Sequence, residues 1–173
     1  MDLKEKIRNI PDFPKKGIMF RDITTLLQDP EATKKAIKGM LKPFENKEID
    51  VVIGTESRGF IFGAIMAYEL GVSFVPVRKP GKLPFETEKE SYEKEYGLDE
   101  LEIHKDAIKK GDKVLIVDDL LATAGTSLAV KRLTEKLGGE IIGFCFLIEL
   151  NFLNGRKKLK PHKIFSLIEY DSE

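Results

Sequence analysis

One stretch limits the folds open to this chain more than any other: VLIVDDLLATAGTS, residues 114–127. Four apolar residues, Val114 to Val117, form a short run rich in β-branched side chains, as a buried strand requires. Two carboxylates follow at once, Asp118 and Asp119, and then a segment of small and hydroxyl-bearing residues that enters a helix near Gly125. A strand uniformly apolar up to its end and followed by a helix belongs to a parallel sheet covered on both faces. Such sheets take their ligands at the carboxyl ends of the strands.

The rest of the chain repeats this grammar. DVVIG (residues 50–54), SFVPVRK (73–79), EIIGFCFLIEL (140–150) and IFSLIEY (164–170) read as further strands. Helices are predicted from about Pro30 to Phe44, over GFIFGAIMAYELG (59–71), and from Gly125 to the Gly138–Gly139 stop, with Val130, Leu133 and Leu137 as the inward stripe of the last. Asp29 before Pro30 supplies an N-cap with proline at the first helical position. The opening residues 2–9 read as a short helix closed by Pro11 and Pro14, and the strand ahead of the acids is expected to end at Asp118. Residues 79–100 break the alternation: KPGKLPFETEKESYEKEYGLDE is polar and charged, which fits a two-stranded flap, a solvated excursion or an active-site lid.

Composition excludes several function classes. The chain has 173 residues, enough for one domain with a real core at 42% hydrophobic content. Acids and bases number 29 each, so no net field favours nucleic acid or an anionic membrane. The single Cys145 has no partner for an internal disulfide and sits in an apolar run. The start, MDLKEKIRNI, lacks a signal-peptide core and no 18-residue apolar run occurs, so a cytoplasmic protein is expected. Six arginines stand against 23 lysines. Arg21, Arg58 and Arg78 fall beside candidate motifs, where a rigid fork for phosphate or carboxylate is useful.

The chemistry of residues 118–127 follows from charge. The N–H groups at the start of a helix make an anion site, and Thr123, Thr126 and Ser127 add hydroxyl donors, so a phosphate fits there. Two carboxylates beside a phosphate repel it unless they hold something else. The vicinal hydroxyls of a sugar, or Mg²⁺, satisfy them, and a ribose 5-phosphate meets both demands. VLIVDD also resembles the first strand of a phosphoacceptor receiver domain, but that strand stands near the start of such domains, whereas only 55 residues follow Asp118 here.

Residues 114–126 resemble the 13-residue phosphoribosyl pyrophosphate motif of type I phosphoribosyltransferases. FPKKGIMFRDIT, GTESRGFIFG, VPVRKPGKLP, SYEKEYG and LEIHKDAI resemble segments of the adenine branch of that family, in its order and spacing. The resemblance spans residues 7–170. It implies an α/β fold with a twisted, mostly parallel sheet flanked by helices, one domain over residues 1–173, an N-terminal hood (1–30) and a flexible catalytic flap (79–100). It implies a Mg²⁺-dependent conversion of adenine and phosphoribosyl pyrophosphate (PRPP) to AMP and pyrophosphate, in a homodimer, with the Mg²⁺ held by PRPP and water and by no side chain directly. Other purine phosphoribosyltransferases and non-catalytic donor-binding regulators are the alternatives.

Carried over residue by residue, the resemblance implies that Asp118 and Asp119 hold the ribose hydroxyls. Ala122, Thr123, Ala124, Gly125 and Thr126 cradle the 5-phosphate. Ser57 and Arg58, next to a strained and cis peptide near Glu56–Ser57, bind pyrophosphate with Arg78, Lys79 and Lys82. Met19, Phe20, Arg21 and Leu120 contact adenine, and Glu95 and Tyr96 of the flap are catalytic. Where hypoxanthine-guanine enzymes place an aspartate by the purine nitrogen, this chain has Ala122, which directs the search for a base to Glu95. Family members usually carry Gly-Gly where this chain has Ala124–Gly125. Alanine avoids positive φ, so φ below zero is expected at Ala124.

Overall fold

The structure is a computed structural model describing residues 1–94 and 97–173, apart from the Lys94 side chain. Five parallel strands form the central sheet: β3 (Val51–Thr55), β4 (Ser73–Val77), β7 (Lys113–Leu121), β8 (Glu140–Leu150) and β9 (Ile164–Tyr170), in the order β4-β3-β7-β8-β9. Two antiparallel pairs stand outside it, β1 (Arg8–Ile10) with β2 (Phe20–Asp22) and β5 (Thr87–Lys94) with β6 (Gly97–His104). The helices are α1 (Thr24–Leu27), α2 (Pro30–Leu41), α3 (Gly59–Leu70), α4 (Gly125–Lys136) and α5 (Gly155–Lys158). No helix among the described residues is long and apolar enough to cross a membrane.

Strand alternation divides the core in two. Val52, Leu115, Val117, Cys145 and Leu147 face α2 and α3, joined there by Met40, Phe44, Phe62 and Met66. Val51, Ile53, Val114, Ile116, Phe144 and Phe146 face α4, whose Ala129, Val130 and Leu133 meet them. This is the two-faced burial expected of uniformly apolar strands. The expected α2 cap is present, Asp29 accepting from the N–H groups of Glu31 and Ala32. Gly71 ends α3 in the left-handed conformation at φ 67°. Glycine also lets α3 lie close on the sheet: a Cβ at Gly59 would stand 2.7 Å from Asp118 Oδ1, and one at Gly63 would stand 3.1 Å from the Gly54 Cα.

The β3→α3→β4 unit runs toward one sheet edge and β7→α4→β8 toward the other, so the strand order reverses between β3 and β7. The turns following these two strands therefore open side by side. The charged segment forms the β5–β6 hairpin, and it is docked: the backbones of Arg78 and Glu102 exchange hydrogen bonds of 2.9 and 2.8 Å at the end of β4. Leu101 and Ile103 bury themselves in the α4-side core.

Two expectations are corrected. Residues 2–9 are not a helix: a 3₁₀ turn at Lys4–Lys6 leads into β1, since one or two isolated turns gain too little to hold a helix while pairing with β2 is available. The acids do not terminate their strand. β7 continues to Leu121 because β8 goes on pairing with it, Leu120 opposite Ile148 and Leu121 opposite Glu149.

The β1–β2 pair is anchored by Asp22. Its carboxylate accepts from the Thr24 N–H (3.0 Å), the Thr24 hydroxyl and Arg8 Nε (2.9 Å) and Nη2 (2.6 Å). The Thr24 N–H, Arg8 and the Thr24 hydroxyl together hold its pKa down at about 2. A depressed carboxyl adds stability that is complete above its ordinary value near 3.8 and is lost as pH falls toward 2. Urea unfolding at stepped pH is therefore expected to show stability falling between about pH 4 and 2. Asp22→Asn should lower stability at neutral pH and flatten that acid limb.

Candidate active site

The turn after β3 and the end of β7 enclose one cavity of about 370 Å³. From the turn after β3 come Glu56, Ser57 and Arg58; from β7 and its loop come Asp118, Asp119, Leu120 and residues 122–127. Lys79 closes one side, and Tyr92 and Leu101 of the hairpin another. The Glu56–Ser57 peptide is cis, as the resemblance implied. Most residues named from the motifs, the two main groups about 60 to 70 positions apart in sequence, thus converge because β3 and β7 are neighbours in register, Ile53 beside Ile116 and Gly54 beside Val117.

The acid pair is held under electrostatic tension. Asp118 Oδ1 accepts the Asp119 N–H at 2.9 Å, and Asp119 Oδ2 meets Arg58 Nε at 2.8 Å. Burial, with the Asp119 charge second, pushes the Asp118 carboxyl well above its ordinary value. Burial raises Asp119 too, against the pull of Arg58. Carboxylates so placed gain from hydroxyl donors or a cation.

Opposite them lies a cationic group gathered on one carboxylate. Glu56 takes Arg78 Nε at 3.2 Å and Nη2 at 3.3 Å, the Lys79 N–H at 2.9 Å and Lys82 Nζ at 3.8 Å. Burial pushes Glu56 upward, but the Lys79 N–H and Arg78 outweigh it and leave the carboxyl below its ordinary value. Of the four cations named from the sequence, Arg58 and Lys79 line the cavity, while Arg78 and exposed Lys82 do not and instead pair with its lining residue Glu56. Lys79 Nζ bonds the Tyr92 hydroxyl at 3.1 Å and pairs with Asp99 of β6.

The hood residues are more dispersed. Leu120 lines the cavity, and the Phe20 ring packs near the Arg58 guanidinium at 5.2 Å and against Phe13. Met19 is half-buried and lines no described part of it. Arg21 reaches Asn9 Oδ1 at 2.6 Å and lies 3.9 Å from the Tyr170 ring centre. A second cavity, between the hood (Pro14, Lys15, Ile18) and the loop (Ala122, Thr123, Thr126), adjoins the first. Glu95 and Tyr96 lie outside the described residues. Sequence reasoning missed Glu56 as the organiser of the cations, the Lys79–Asp99 tie and Tyr92. Only the position of Glu56 within GTESRG hinted at the first, and SYEKEYG, which contains Tyr92, at the last.

Comparison with known proteins agrees with this geometry. A family model described as a phosphoribosyl transferase domain matches residues 22–172. An adenine phosphoribosyltransferase of Acetivibrio thermocellus is 59% identical over 171 residues, covering 98% of this chain and 100% of that protein. The crystal structure of adenine phosphoribosyltransferase from Thermoanaerobacter pseudethanolicus is similar at a TM-score of 0.95 and 56% identity, covering 97% of this chain and 98% of that one. The Saccharomyces cerevisiae enzyme, complexed with adenine and an imino-altritol bisphosphate, is similar at 0.90 and 44% identity, covering 95% and 96%.

Ala124 overturns its expectation, with φ at +70° and ψ at 9°. The chain must leave β7 and start α4 within residues 122–124, and the residue before Gly125 takes the left-handed bend. The Ala124 carbonyl accepts the Leu128 N–H at 2.9 Å, the first bond of α4, and its buried methyl packs into the α4-side core. Left-handed alanine costs roughly 1–2 kcal/mol, which glycine would relieve. Loss of a buried methyl, about 0.8 kcal/mol, and the extra freedom of unfolded glycine, about 0.4–1 kcal/mol, offset the gain. Ala124→Gly is thus expected to leave stability within about 1 kcal/mol of the original, whereas Ala129→Gly inside α4 should cost about 2 kcal/mol in urea unfolding. Equal losses at both positions would contradict the left-handed assignment.

Proposed function

The chain belongs to the phosphoribosyl transferase family, and as an adenine phosphoribosyltransferase it joins adenine to the ribose-5-phosphate unit of PRPP, releasing pyrophosphate and salvaging the purine as AMP; from that premise we propose how its cavity divides the reaction. The observation carrying this division is the acid pair Asp118–Asp119 standing beside the helix-start loop 122–126 and facing Ser57 and Arg58 in one cavity. Phosphate seats on the loop, where the first N–H groups of α4 lack intrahelical partners. The ribose diol donates to Asp118 and Asp119. Pyrophosphate leaves toward Ser57, Arg58 and Lys79, with Arg78 and Lys82 extending the cationic surface.

Displacement at C1 runs through an oxocarbenium-like state, so cations aimed at the departing charge lower the barrier, and positioning of the purine supplies much of the rest. Adenine N9 attacks and the ring loses a proton. With alanine at position 122 the acceptor is assigned to Glu95, with Tyr96 beside it, on the strength of SYEKEYG alone. Adenine is assigned to the hood side by Leu120, Met19, Phe20 and Arg21. Backbone groups that read N1 and the 6-amino group are left unpaired by a 6-oxo base, which sets the selectivity.

Mg²⁺ fits the donor set only as a shared ion. No group of three or more His, Cys, Asp or Glu able to hold a metal occurs among the described residues, and of the cavity's carboxylates Glu56 is taken up by Arg78 and the Lys79 N–H, which leaves Asp118 and Asp119. Mg²⁺ typically takes one or two carboxylates and completes its shell with substrate phosphates and water. When bound it would neutralise charge on the leaving pyrophosphate. The buried Cys145, alone in the chain, leaves nothing for an oxidising compartment to cross-link, in keeping with a cytoplasmic location.

Incubating the protein with Mg²⁺, PRPP and in turn adenine, hypoxanthine, guanine and orotate should release pyrophosphate with adenine; silence with adenine would sink the reading. Glu95→Gln should lower kcat more than it raises the KM for PRPP, and Asp118→Asn should do the reverse. A homodimer is proposed through the outer face of α3, where Tyr68 is 84% and Ile61 38% exposed. Sedimentation should give twice the chain mass, and Tyr68→Glu should shift it toward the monomer.

A further inference from the structure

The segment LNFLNGR between β8 and α5 belongs to none of the motifs above, yet it touches the phosphate loop. A Cβ built on Gly155 would stand 2.1 Å from the Ala122 carbonyl oxygen, 3.1 Å from its carbon and 3.2 Å from the Ala124 nitrogen. No side chain fits there, so backbone lies directly on backbone. The next residue fastens the contact. Arg156 Nε reaches Glu149 Oε1 at 3.0 Å, its Nη2 reaches Glu149 Oε2 and Ser166, and its Nη1 reaches the Ile164 carbonyl at 3.0 Å. The Ser166 hydroxyl donates to the same carboxylate. Glu149 is 2% exposed at the end of β8, between Leu121 of β7 and Glu169 of β9. A buried carboxylate saturated by a guanidinium fork and a hydroxyl holds one geometry.

Resting on the reading that residues 122–126 seat the 5-phosphate, we propose that Gly155, fastened by Arg156, Glu149 and Ser166, is a positioning residue that orients the Ala122–Thr123 peptide. The Ala122 carbonyl is turned against Gly155. In a planar trans peptide the following N–H points the opposite way, so the Thr123 N–H is presented on the face away from Gly155, where Ala122 and Thr123 line the cavity. A peptide rotated the other way would aim a carbonyl oxygen at the phosphate and withdraw a donor. Any side chain at position 155 pushes on that carbonyl and moves the peptide.

The test compares AMP with adenosine, which lacks the group that the loop holds, by calorimetric titration of the full-length protein. Gly155→Ala should weaken AMP about tenfold, the loss of one charge-assisted hydrogen bond, and leave adenosine within about twofold. The KM for PRPP should rise while that for adenine stays. Should Gly155→Ala fail to fold, Glu149→Gln loosens the fastening without placing an atom in the loop and should shift the same ratio in the same direction. Equal loss of AMP and adenosine would mark a merely structural effect and overturn the inference. Thr126→Ala separates the two levels. If it lowers the AMP preference while Gly155→Ala and Glu149→Gln do not, the inference fails and the phosphate assignment stands. If Thr126→Ala leaves the preference intact, the assignment fails and the inference falls with it.

Discussion

The pairing of β3 with β7 is the constraint on which the rest depends. These strands lie side by side but send their helices to opposite sheet edges, so their following turns face each other across a crevice that no connection covers. One turn carries Ser57 and Arg58, the other the acid pair and the helix-start loop 122–126. Glycine at positions 54, 59 and 63 lets α3 approach closely enough for its first residues to reach Asp118. A larger residue at 59 would collide with the carboxylate itself.

The cavity is held by pairing of opposite charges within the chain. It concentrates acids on β7 and bases around residues 58 and 78–82, and three opposite-charge pairs hold it: Asp119 with Arg58, Glu56 with Arg78, Lys79 with Asp99, while Asp118 accepts the Asp119 N–H. Separating partly buried partners is costly unless something replaces them. A substrate carrying both a diol and phosphates offers replacements for both signs at once. The pairing of Lys79 with Asp99 of β6 also ties the hairpin to the cavity.

Much of this was legible in the sequence because it is local. Val114 to Val117 state a buried strand, Asp29–Pro30 a helix start, and Gly71 a helix end. The acids and the loop after them are contiguous, so their joint chemistry followed from electrostatics alone. Errors arose where a remote partner decided the outcome. Residues 2–9 became turn and strand because β2 lies alongside. β7 outran Asp118 because β8 kept pairing. Ala124 took a left-handed bend against its own preference at the corner between β7 and α4, where its methyl is packed in the core.

Residue types and their order determined the alternation of strands and helices, the acid pair beside an anion-binding helix start, and the absence of an aspartate at position 122. These depend on side-chain chemistry within a few bonds. Only the tertiary structure decided that Glu56 gathers the cations, that Asp99 holds Lys79, and that Gly155 lies against a loop some 30 residues earlier. Such contacts come from strand order and close backbone approach. The chain's local preferences carry no record of either.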